Sequence, residues 1–204
     1  MDSVAITGTA RTVLGKKAAK AVRNEGQIPC NIYGGEENVH FSAPVNAFKP
    51  LIYTPDFKLA EISIDGKTHT AIVKEIQSHP VTDNILHIDF VELLPNKSVK
   101  AEIPIRLVGQ SDGAKLGGVI VQKMRRAKVK TTPEKLIDAI EVDISELVLG
   151  QSVRIRDMEA IEGVEVLNSL GTPIASVEIP RALRSAQSEE EEEETTTEEE
   201  VATE

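Results

Sequence analysis

Residues 59–77 read Leu-Ala-Glu-Ile-Ser-Ile-Asp-Gly-Lys-Thr-His-Thr-Ala-Ile-Val-Lys-Glu-Ile-Gln. Two strand-like runs flank Asp65-Gly66, a two-residue turn signal whose twist matches that of the strands it joins. The stretch predicts a hairpin of Leu59–Ile64 with Lys67–Gln77. Downstream, Ser78-His79-Pro80 breaks the run, and Ile85-Leu86-His87-Ile88-Asp89-Phe90-Val91 starts a third strand. Side chains alternate across a strand, so Leu86, Ile88 and Phe90 share one side. His87 and Asp89 share the other with Ile85 and Val91. One row packs, and the other displays two polar groups side by side.

Upstream, Gly15 and Gly26 bracket a run rich in Ala, Lys and Arg. It predicts a helix over residues 16–25 closed by a glycine C-cap. Lys16, Lys20 and Arg23 share one helical face, and Lys16 and Lys17 stand in the first turn, where the helix dipole disfavours cations. A phosphate met by lysines and backbone N–H groups offsets that cost; a solvated basic helix is the other reading. A second helix is expected over Val45 to Tyr53, limited by Pro50.

Leu94-Pro95-Asn96-Lys97 reads as a junction, dividing the chain into residues 1–95, 96–184 and 185–204. The middle segment is almost pure β, with short strands expected at Glu102–Val108, Val119–Val121, Arg125–Thr131, Ile140–Ile144, Ser152–Ile155, Val164–Leu167 and Ile174–Ile179. Their spacing suggests a sandwich or barrel, and Pro104 suggests an edge or a bulge. The last segment is rich in Glu and Thr without apolar periodicity and is expected to be disordered.

The formal charge of −10 argues against a nucleic-acid partner until it is located. Residues 189–204 hold ten glutamates and no Lys or Arg, so the rest of the chain is balanced. The first 23 residues set Arg11, Lys16, Lys17, Lys20 and Arg23 against Asp2 alone, and such local fields steer anions. With 3% aromatic residues, base stacking on several rings is not expected to dominate any RNA recognition. Cys30 stands alone and excludes an internal disulfide or multi-cysteine metal site; it reads as a small buried hydrophobe. No long apolar stretch or leader-like segment appears, so a cytoplasmic protein without membrane contact is expected.

His87 and Asp89 resemble a general-base pair but lack an accompanying nucleophile motif. A solvated strand face is the plain alternative. A third reading is recognition of RNA, since imidazole and carboxylate suit ribose 2′-OH and base amino groups in a shallow minor groove. His40, His69 and His79 are scattered without metal-ligand spacing. Gly34-Gly35 and Gly117-Gly118 read as turns. Lys123 to Lys130 carries five basic residues and no acid, which fits either a solvated sheet face or a second anion contact.

Taken in order, these motifs resemble the bacterial large-subunit ribosomal protein family that binds 5S ribosomal RNA, in its long form, also called general stress protein CTC. The matching stretches are Arg11, Gly15-Lys16, Lys20, Arg23, Pro29, Tyr33-Gly34-Gly35, Val73 to Pro80 and His87 to Phe90. In the second half they are Ile103 to Gly109, Gly117-Gly118, Glu141 to Ile144 and Leu147 to Gly150. The resemblance implies a six-stranded β-barrel with short helices, an all-β C-terminal domain and no enzymatic role. It implies RNA contacts from Arg11, Lys16, Lys20, Arg23, Tyr33, His87 and Asp89. Gln77 and His79 match its Gln-x-His-Pro motif. Ala19 and Ala21 stand where members often carry Ser and Arg, and Lys17 replaces a common Gly, so Lys17 joins the candidates as a substitute cation. The implied partners are 5S ribosomal RNA and the large subunit, with neighbouring ribosomal proteins and 23S ribosomal RNA as further contacts. No cofactor, small-molecule substrate or membrane is implied. A stress-linked, ribosome-associated adapter acting through the C-terminal domain is the alternative.

Overall fold

The computed structural model describes residues 1–35, 37–95, 97–158 and 163–180. The six strands β1 (Ser3–Ala10), β2 (Gln27–Tyr33), β3 (Val39–Pro44), β4 (Leu59–Ile64), β5 (Lys67–Ser78) and β6 (Ile85–Glu92) close a barrel in the order β1-β3-β2-β6-β5-β4. β1 runs parallel to β4 and β2 parallel to β6; the other pairs are antiparallel. The hairpin at the centre of the sequence argument is β4–β5. Asp65 and Gly66 both adopt positive φ, 49° and 83°, as a twist-matched two-residue turn requires.

Alternation fills the barrel. Ile28, Cys30 and Ile32 on β2, Phe41 on β3, Ile62 on β4, and Ile88 and Phe90 on β6 are buried in one core. The Phe90 ring lies 5.9 Å from that of Phe41 and 6.2 Å from that of Phe48, within the range of favourable tilted aromatic pairs. Phe48 and Leu51 come from α2 (Val45–Ile52), which tolerates Pro50 near its end. The other helix, α1 (Lys16–Asn24), buries nothing fully. Gly26 follows it with φ 75°, and its N–H bonds to Arg23 O at 3.1 Å, the expected glycine closure.

The third strand departs from simple alternation. Gln77 pairs with His87, but Ser78 pairs with Ile85, so Leu86 is an extra residue in β6. This bulge reverses the phase of the strand's first residues. Ile85, expected on the outer row, packs against the barrel core instead, and Leu86 is only half-buried. A second irregularity lies in β5, where Val73 and Glu75 pair with Phe90 and Asp89 and leave Lys74 as the extra residue.

Each short strand expected in the second half is present: β7 (Val99–Val108), β8 (Val119–Gln122), β9 (Arg126–Thr131), β10 (Ile140–Asp143), β11 (Ser152–Arg154), β12 (Val164–Val166) and β13 (Pro173–Glu178). They form one sheet of order β10-β7-β9-β12 and another of order β11-β13-β8. β7 is therefore an interior strand, against the expectation of an edge for Pro104, and its pairing with β9 runs without a bulge. Pro104 is tolerated because Ile105 N donates to Arg125 O at 2.9 Å; by alternation the missing N–H at residue 104 points away from β9. A short helix unforeseen in the sequence, α3 (Asp112–Lys115), is capped by the Ser111 hydroxyl, which accepts from Ala114 N.

By contacts the chain divides into two compact units. Among the described residues, one takes in the stretches 1–104, 126–140 and 163–167, the other 105–125, 141–158 and 168–180. The glutamate-rich tail lies outside the described residues.

Candidate nucleic-acid interface

Helix α1 carries Lys16, Lys17 and Lys20 on its exposed surface, while Ala18, Ala19 and Val22 are half-buried. No acidic residue occupies its first turn, and Gly15 at its N-cap supplies no side-chain hydrogen bond. The lysine charge is thus uncompensated within the helix. Arg23 is half-buried at the far end of the same face, where its Nη1 donates to Leu86 O at 3.0 Å. The β6 bulge therefore anchors the basic helix on the barrel.

Beside the helix, strand registers assemble a polar row across four strands. His40 on β3 pairs with Asn31 on β2, Asn31 with Asp89 on β6, and Asp89 with Glu75 on β5. His40 Nδ1 and Asn31 Oδ1 are 2.6 Å apart. If the amide oxygen accepts, the ring carries its proton on Nδ1 and Asn31 Nδ2 remains to donate elsewhere. His87 Nδ1 lies 3.4 Å from Asp89 Oδ2, both about one-fifth exposed. Gln77 is opposite His87.

Tyr33 ends β2 on the same side. Partial burial pushes its phenol above its ordinary value, and the Asp89 and then the Glu75 carboxylate push it further. It remains a neutral hydrogen-bond donor at physiological pH. Arg11 N bonds to His40 O at 2.8 Å, placing that residue at the β3 margin of the row.

His79 is not part of this row. It closes the β5–β6 connection: Val81 N and Thr82 N both donate to its Nδ1 at 3.3 Å, and its own N–H bonds to Asn84 O at 2.8 Å. Its ring thus already serves the turn. Burial raises the Cys30 thiol far above its usual range, so it is protonated and no nucleophile at neutral pH. Among the described residues no group of three or more His, Cys, Asp or Glu is placed to hold a metal ion, and no helix is long and apolar enough to cross a membrane.

Comparison with known proteins gives this surface a context. The ribosomal L25p family matches residues 6–90, and the C-terminal domain of ribosomal protein TL5 matches residues 98–181. The chain belongs to the ribosomal L25p family.

Among L25p relatives, the large ribosomal subunit protein bL25 of Amoebophilus asiaticus is 41% identical over 189 residues, 93% of this chain and 96% of the relative. That of Porphyromonas gingivalis is 40% identical over 188 residues, 91% and 97%, and that of Bacteroides fragilis 38% over 191 residues, 91% and 97%. The chain is a ribosomal protein. Every candidate side chain from Arg11 to Asp89 falls inside the L25p match. Within that segment, sequence reasoning passed over Asn31, His40 and Glu75. For Asn31 a signal existed, since Asn31 and Tyr33 flank buried Ile32 at strand spacing. His40 and Glu75 join the row only through pairing between strands.

Proposed function

We propose that this chain binds 5S ribosomal RNA as a component of the large ribosomal subunit, bound to the ribosome in the cytoplasm. Lys16, Lys17, Lys20 and Arg11 neutralise phosphates, and Arg23 fixes the helix that carries the lysines. Tyr33, Asn31, His87 and Asp89 read the ribose and base edges of a minor groove. The carrying observation is the juxtaposition of two chemistries: uncompensated cations on α1 and, beside them, a row that sets His40 and Asn31 on β3 and β2 next to the carboxylates Asp89 and Glu75 on β6 and β5. Phosphate contacts position a nucleic acid without reading it, and edge contacts supply selectivity. A carboxylate facing a phosphate-rich partner is favourable only if it accepts hydrogen bonds, which 2′-OH and amino groups provide. Gln77, opposite His87, extends that row, and His79 contributes by shaping the turn behind it.

Titrating isolated 5S ribosomal RNA with His87→Ala and Asp89→Ala tests the reading. Each variant is expected to lose about 1–3 kcal/mol of binding free energy while keeping the wild-type unfolding midpoint. Wild-type affinity in both would remove the pair from the interface.

A further inference from the structure

Within the first compact unit, a second group of cations lines a cleft of about 420 Å³ away from α1. Lys58 precedes β4, Lys74 is the extra residue in β5, and Lys100, Arg126 and Lys128 project from β7 and β9. Lys128 is paired with Glu102 at 3.8 Å. Lys58, Lys74, Lys100 and Arg126 make no ion pair among the described residues. On the same sheet face Lys100 stands directly opposite Lys130, whose charge is partly offset by Glu165 at 3.6 Å; like charges directly opposite cost folding stability. Ile76 and Leu167, both exposed, give the cleft apolar walls against which a ribose can pack.

We propose that this cleft binds the phosphate backbone of a second ribosomal RNA segment of the large subunit, distinct from the 5S segment held by α1. The inference rests on the ribosomal reading above but uses none of its contact residues. The five cations of the cleft outnumber its three carboxylates, Asp56, Glu75 and Glu102; a polyanion stabilises that excess, and backbone phosphates fit a cleft with few aromatic groups. The separate segment follows from where the cations lie: Lys100, Arg126 and Lys128 fall in the part of the chain matched by the TL5 C-terminal domain, outside the L25p match that holds every residue assigned to 5S RNA.

The double variant Lys100→Gln/Arg126→Gln tests this on two probes, isolated 5S ribosomal RNA and large subunits purified from cells lacking the protein. On the subunits, affinity is expected to fall about tenfold or more, and the log–log salt dependence to flatten by roughly 1.4–1.8 for two lost phosphate contacts. Lys100→Arg/Arg126→Lys should retain the wild-type slope. On isolated 5S RNA the double variant should stay within about twofold of wild type, whereas Lys16→Gln/Lys20→Gln should weaken both. The unfolding midpoint of Lys100→Gln should hold or rise, because the repulsion with Lys130 is relieved. Unchanged subunit affinity and slope would overturn the second contact. An equal loss on isolated 5S RNA would overturn its separateness. Failure of the wild-type chain to bind 5S RNA would instead remove the 5S reading, leaving the subunit titration to decide the cleft.

Discussion

At the scale of single residues, the interface depends on side chains whose states are set by their neighbours. Tyr33 is the clearest case: partial burial and the Asp89 and Glu75 carboxylates raise its phenol pKa. Asp89→Asn removes one of these charges, so the Tyr33 ionisation should move down toward the ordinary tyrosine value of about 10. NMR of ring-labelled Tyr33 against pH checks this; a midpoint equal to wild type would contradict the proximity. Arg23 illustrates a different dependence. Its Nη1 is spent on Leu86 O, so Arg23→Ala should weaken RNA binding chiefly by loosening α1. Amide exchange in residues 16–24 should then accelerate in the free protein, whereas an RNA-only role would leave exchange unchanged.

At the scale of elements, the backbone of β1 passes so close to Phe41 that a Cβ on Gly8 would come within 2.5 Å of the Phe41 ring. Phe41 is fully buried and pairs with Phe90, so it has little room to yield. Gly8→Ala should cost about 1–3 kcal/mol, read as a lower denaturant midpoint at unchanged slope; an unaltered midpoint would mean that the core yields freely. Much of this architecture is legible in sequence because strand period is local. The Asp65-Gly66 hairpin and the short strands of the second half follow from alternation and turn residues alone. Bulges are not legible in the same way. Leu86 and Lys74 sit in runs whose composition is equally compatible with unbroken pairing, and only the partner strand exposes the extra residue. The four-residue helix α3 hides in a stretch whose Gly and Asp favour turns. The polar row is hidden for a deeper reason: Asn31 meets Asp89 through parallel pairing of β2 with β6, across 58 positions of sequence. The local alternation of either strand does not specify that neighbour.

At the scale of the whole molecule, total charge hides its distribution. Residues 189–204 account for the entire formal charge of −10. Removing them brings the chain to zero, and a polyanion tethered to the chain is expected to compete with RNA for its cations. Binding to a non-cognate RNA of 5S length should therefore rise at low salt on deletion of 189–204, with the difference vanishing as the Debye length shortens to about 3 Å near 1 M salt. Equal affinities at low salt would rule out such competition. The central claim is that this ribosomal protein holds 5S RNA by phosphate contacts from a basic helix beside a polar reading face. It is tested most directly by the salt dependence of 5S RNA affinity. Four phosphate contacts give a log–log slope of roughly −2.8 to −3.6, and Lys16→Gln/Lys20→Gln should flatten it by about 1.4–1.8. A wild-type affinity independent of salt would contradict the account.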